Sequence, residues 1–122
     1  MSASEPRAGR AFEYKVRDRL RGDGYWVMRS PGSRTVVDLL AIKPGQVLFV
    51  QCKVNGRLDP GEWNALWEAA AGAGAVPVLA SRPGRGHLCL SELTGPKLAE
   101  RTWPAPLRPF VTDEAGENDD EC

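Results

Sequence analysis

The sequence predicts an α/β domain in which a β-sheet packs against helices, in the order helix, three strands, helix, two strands. Three stretches carry that prediction. VVDLLAIKPGQVLFVQCK, from Val36 to Lys53, has two apolar runs flanking Lys43-Pro44-Gly45-Gln46, the composition of a β-hairpin around a Pro-Gly reversal. Upstream, Phe12, Val16 and Leu20 recur every four residues, as on one face of a helix. Downstream, Asp59-Pro60-Gly61-Glu62 opens a second apolar stripe with the residues of a helix start.

Taken in order, residues 1–6 read as a flexible leader, and the first helix runs from Arg7 to about Leu20, closed by Gly22 to Gly24. Arg10, Arg17, Arg19 and Arg21 fall mostly off its apolar stripe, while Glu13 lies beside it, placed to aim a carboxylate at the hairpin's polar end. By itself Glu13 reads as a solvated helix acid. Tyr25 to Arg29 is a short strand rich in aromatic and β-favouring residues. It leads into Ser30-Pro31-Gly32-Ser33-Arg34, which is either a plain surface turn or a phosphate contact. For the second, Ser33 and Gly32 would offer hydroxyl and N–H donors and Arg29 or Arg34 a bidentate partner.

With Ile42 opposite Val47, paired positions of the hairpin sum to 89, which sets Asp38 across from Gln51 and Val36 across from Lys53. Alternation then puts Asp38, Gln51 and Lys53 on one face, at the end of strands apolar on both sides and therefore central. Buried charge is costly unless compensated. An Asp38–Lys53 ion pair and a functional site both meet that demand on spacing alone.

In the second helix Asp59 is the N-cap, Pro60 the first helical residue and Glu62 the partner in a capping box. Trp63, Leu66, Trp67 and Ala70 form its stripe, read as core or dimer contact rather than a base-stacking surface. Val76 to Ser81 is a buried strand, Pro83 to Gly86 a turn, and His87 to Leu93 an edge strand, with His87 structural. From Pro96 to Thr112 the prolines at 104, 106 and 109 indicate an irregular arm, and residues 113–122 a disordered acidic tail.

Composition bounds the rest: 42% hydrophobic and 26% charged residues in 122 suit one soluble globular domain. Neither a membrane-spanning run nor a secretory signal is present, so an intracellular protein of the cytoplasm or nucleoid is expected. Cys52, Cys89 and Cys122 are widely spaced with only His87 as a nitrogen ligand; they read as reduced thiols, not a disulfide framework or zinc site. The formal net charge is zero, but Asp113, Glu114, Glu117, Asp119, Asp120 and Glu121 concentrate six acids in the tail, leaving a body of about +6. A basic body of that kind is the footprint of a nucleic-acid binder.

The ordered set Gly9-Arg10-Ala11-Phe12-Glu13, Arg29-Ser30, Gly32-Ser33, Asp38 and Gln51-Cys52-Lys53 resembles the archaeal-type Holliday junction resolvases, within the PD-(D/E)XK nuclease superfamily. The likeness spans about residues 7–82 and departs from the motif at Gln51, where an acid is usual. It implies a restriction-endonuclease-like mixed β-sheet flanked by helices, with a nuclease domain over residues 7–95. The implied catalytic residues are Lys53, Asp38 and Glu13, the metal ligands Asp38, Gln51 and Glu13, and the DNA-binding residues Arg10, Arg29, Ser33 and Arg34. Also implied are Mg²⁺ (Mn²⁺ able to substitute), branched DNA as substrate, a homodimer matching the two-fold symmetry of a four-way junction, and no small-molecule cofactor. Another repair or restriction-type nuclease of the superfamily is one alternative. A non-catalytic DNA-binding module is the other, since a neutral amide at position 51 is a weaker Mg²⁺ ligand.

Overall fold

The computed structural model of the chain describes residues 4–30, 36–97 and 105–111. Helix α1 (Ser4–Gly22) precedes strands β1 (Trp26–Arg29), β2 (Leu39–Lys43) and β3 (Gln46–Cys52). Helix α2 (Pro60–Ala73) then leads to β4 (Val76–Ser81), β5 (Cys89–Leu93) and β6 (Leu107–Pro109). The six strands make one sheet in sequence order, and only β3 and β4, the pair that α2 connects, run parallel. A parallel neighbour cannot be reached by a tight turn, so the helical crossover between them is required.

The predicted hairpin register holds: Ile42 pairs with Val47 and Leu39 with Val50. Gly45 takes a φ of +82°, which lets Pro44-Gly45 reverse the chain in two residues. The ladder is shorter than expected, beginning at Leu39 instead of Val36, because Asp38 leaves it. The Asp38 N–H donates to the Val50 carbonyl (2.8 Å), one residue out of register, so strict opposition to Gln51 is lost.

Alternation along the strands separates two cores. Phe12, Val16 and Leu20 of α1 pack with Val27, Leu39, Ala41, Leu48, Val50, Val78, Ala80 and Leu90 on one face. On the other, Trp63 and Leu66 of α2 pack with Leu58, Leu79 and Leu93, with Phe49 partly buried against them. Burying each such leucine is worth about 1.5–3 kcal/mol. The α2 capping box is formed as predicted: Glu62 N–H donates to Asp59 Oδ1 (2.7 Å) and Asp59 N–H to Glu62 Oε1 (3.4 Å). Gly74 closes the helix in the left-handed conformation.

Because α2 lies over the β3 and β4 side, among the described residues the same face of β1 and β2 has no helix on it. Trp26 and Met28 are 59% and 46% exposed, and their register partners Ile42 and Leu40, with Val47 beyond, extend an apolar patch across the sheet.

Four expectations change. Helix α1 begins at Ser4 rather than Arg7. β5 is not an edge strand, because β6 pairs with it where an irregular arm was expected. The prolines that argued against a strand are compatible with an edge one: Phe110 N–H donates to Leu90 and Pro106 accepts from Thr94, so the Pro109 nitrogen faces away from β5. Phe110 is buried in the α1-side core, which anchors this segment. Finally, Cys52 is a free thiol but Cys89 is disulfide-bonded, since distance along the sequence does not set distance in space. Cys122 and the acidic tail lie outside the described residues. Among the described residues no helix is long and apolar enough to cross a membrane.

Candidate active site

Asp38 occupies the point where the β2–β3 ladder stops. Its Oδ2 accepts the Cys52 N–H at 2.8 Å, replacing a backbone acceptor the interrupted ladder no longer provides. Burial raises its pKa above the ordinary carboxylate range. The Cys52 N–H opposes that rise, the Glu13 carboxylate adds to it, and Lys53 and Arg29 oppose it. Asp38 therefore faces charges from α1, β1 and the end of β3 together. A cation beside it would stabilise its ionised form.

On the α1 side, Glu13 Oε1 accepts from Arg29 Nε and Nη2, both at 2.9 Å. The helix that buries Phe12 and Val16 thus delivers Glu13 to the sheet end, as its place beside the stripe predicts. The Arg29 guanidinium also lies 5.3 Å from the Tyr14 ring centroid, and Arg17 lies 4.6 Å from it.

On the α2 side are Gln51 and Lys53. Gln51 pairs with Leu79 across β3 and β4 and is 8% exposed, and its buried Oε1 has no hydrogen-bond partner among the described residues. An orphaned carbonyl oxygen in a buried site is costly unless a ligand completes it. The Lys53 N–H donates to Ala80 O (2.9 Å), and its ammonium pairs with Glu62 Oε2 at 3.1 Å. An Asp38–Lys53 ion pair is not formed: Asp38 accepts the Cys52 N–H and Lys53 pairs with Glu62 instead. Cys52, between Gln51 and Lys53, has its thiol pushed far up by burial and by the Asp38 charge, so it offers no thiolate.

The structure thus brings together Asp38, Glu13, Arg29 and Lys53, with Gln51 adjacent on β3. Arg10 is exposed on α1, while Ser33 and Arg34 lie outside the described residues. Among the described residues no three His, Cys, Asp or Glu side chains converge as a metal-binding group. The candidate donors are an aspartate, a partly buried glutamate and an unsatisfied amide oxygen. All are oxygens, which suits a hard cation and not a thiophilic metal. The residue that sequence reasoning missed is Glu62. Its capping-box role was visible, but its contact with Lys53 arises only when α2 starts beside the end of β3.

The family described as archaeal Holliday junction resolvase (hjc) matches residues 4–102, most of the chain and all of these positions. The chain belongs to that family. Among the resolvase-family relatives, crossover junction endodeoxyribonuclease Hjc of Methanocaldococcus jannaschii is 39% identical over 51 residues, covering 42% of this chain. The chain spans about 38% of the length of that relative. The solved structure of Hjc from Archaeoglobus fulgidus, described as a Holliday junction resolvase from an archaeal hyperthermophile, superposes with a TM-score of 0.60. That superposition covers 68% of this chain and 70% of that one at 23% identity, and it establishes a shared fold. The mixed, helix-flanked sheet expected of a resolvase is therefore present, with β6 added at its margin.

Proposed function

We propose that this chain is a metal-dependent endonuclease that resolves four-way DNA junctions by paired phosphodiester hydrolysis. The observation that carries the reading is Asp38 leaving the hairpin ladder to face Glu13, Arg29 and Lys53, in a chain of the resolvase family. Asp38, Gln51 and Glu13 would hold the cation, Mg²⁺ with Mn²⁺ able to substitute. When bound, it supplies Lewis-acid polarisation of the scissile phosphate and a lowered pKa for the attacking water.

The chain's own residues do the rest. Lys53 orients the attacking water and offsets charge that builds on the phosphate. Arg29, held by Glu13, positions the DNA backbone together with Arg10, Ser33 and Arg34. Two strands of a four-way junction must be cut, so two copies of the chain act as a two-fold dimer. The uncovered patch around Trp26 and Met28 is the surface that supports such pairing. A DNA substrate also places the protein inside the cell.

The neutral Gln51 favours one rival, a binding module without catalysis. Cleavage of a four-way junction and of matched linear duplex, each with Mg²⁺ and with chelator, decides between them. The expected result is metal-dependent cleavage confined to the junction. Retained binding with no cleavage in either Mg²⁺ or Mn²⁺ would identify the rival, and equal cleavage of linear duplex another nuclease specificity.

Gln51 also carries a quantitative expectation. Its amide oxygen can coordinate but contributes no negative charge, so the Mg²⁺ requirement should be high. In a Mg²⁺ titration of single-turnover cleavage, Gln51→Glu should reach half-maximal rate at lower Mg²⁺ than wild type. Gln51→Ala should need more metal or lose activity. Wild-type metal dependence in Gln51→Ala would remove Gln51 from the ligand set.

A further inference from the structure

We propose that Glu62 is a positioning residue for Lys53, so that the first turn of α2 fixes the ammonium used in cleavage. The inference rests on the catalytic assignment of Lys53. A lysine head sits on a flexible four-carbon stem, and placing it is a problem the strand does not solve by itself. Here both backbones are fixed first. Lys53 donates its N–H to Ala80 O at 2.9 Å and accepts from Gly56 N at 2.8 Å, which ties it to β4 and to the turn that follows. Glu62 is held at the third position of α2 by its own N–H, which donates to Asp59 Oδ1 at 2.7 Å.

The carboxylate of Glu62 then divides its work. Oε1 accepts the Asp59 N–H at 3.4 Å, closing the capping box, and Oε2 meets Lys53 Nζ at 3.1 Å. A capping box needs no charge at this position, since glutamine fills it equally well. Beyond a small contribution from its place at the positive end of the helix dipole, the negative charge is free to hold the lysine. The pair adds little to stability either, because its side chains are 33% and 36% exposed, in the range where ion pairs are screened. What remains for it is geometry: holding the ammonium over the end of β3, near Asp38, before the phosphate arrives.

The test is Glu62→Gln, which keeps the capping acceptor and removes the ion pair, run beside Lys53→Ala with the same junction. The expected result for Glu62→Gln is single-turnover cleavage slowed about 10- to 100-fold, with junction affinity and Mg²⁺ midpoint as in wild type and a melting temperature lower by no more than the few degrees that loss of a helix-dipole contact costs. A wild-type cleavage rate overturns the proposal. So does a slowed rate accompanied by a larger fall in melting temperature, which would make Glu62 structural, or by a shifted Mg²⁺ midpoint, which would make it a metal ligand. Lys53→Ala separates the two levels of the argument. Wild-type cleavage there refutes the catalytic assignment and this proposal together, whereas loss there with wild-type rates in Glu62→Gln refutes this proposal alone.

Discussion

Asp38→Asn and Lys53→Ala should each slow junction cleavage by about a thousandfold or more, with junction affinity within about threefold of wild type. Asparagine keeps the shape of Asp38 and an oxygen that can accept the Cys52 N–H, now 2.8 Å away, so the hairpin end is retained while the charge is lost. Burial already raises the Asp38 pKa, meaning that its ionised form is unfavourable in the fold without a cation. Asp38→Asn should therefore melt at the wild-type temperature or above it, which distinguishes a catalytic loss from an unfolded sample. Lys53→Ala removes an ammonium that is a third exposed and contributes little to stability. Affinity persists because phosphate contacts spread over other basic residues dominate it. Single-turnover cleavage, gel-shift affinity and thermal melting of the two variants check this. Wild-type turnover in either would mean that the hydrolytic site lies elsewhere.

The second large effect concerns association. Trp26→Asp should convert a dimer into a monomer at micromolar concentration, because a large aromatic at the centre of an interface commonly contributes about 2–4 kcal/mol, roughly 30- to 1000-fold in Kd. In a two-fold interface each substitution is met twice. Trp26 is 59% exposed and leads a patch with Met28, Leu40, Ile42 and Val47, none of it needed by the α1-side core. The aspartate variant should fold normally, still nick individual strands, and lose the coupling between the two cuts. Sedimentation and a cruciform plasmid, on which paired and single cuts give different products, measure both. A Trp26→Asp protein that sediments as wild type would put the interface on another surface.

How far the sequence reaches depends on whether the information is local. The Ile42–Val47 register was legible because a two-residue turn leaves one sensible pairing. The start of α2 was legible because a capping box is written in four consecutive residues. Asp38 shows where locality fails. Alternation placed it across from Gln51, but a one-residue slip in its backbone hydrogen bond turned it toward Cys52 and the charges of α1. The Glu13–Arg29 and Lys53–Glu62 pairs were invisible for a related reason. Each joins elements brought together by helix packing, and no spacing rule links their members. β6 was missed because its prolines count against a strand unless it is known to lie at an edge, which depends on the whole sheet.

That outer strand has a consequence for the behaviour of the protein at high concentration. Leu107 and Pro109 are the β6 residues whose backbone nitrogens face away from β5. Leu107 has its N–H taken by Ala105 O at 2.8 Å, and Pro109 has none to give. Within β6, an incoming chain therefore finds no free N–H donor on that side. Backbone pairing is disfavoured there by a proline and by a hydrogen bond already made rather than by charge, so the effect persists when salt screens the surface. Copies of the chain crowded together can then meet through side-chain surfaces, or edge to edge at β1, without a backbone ladder growing from β6.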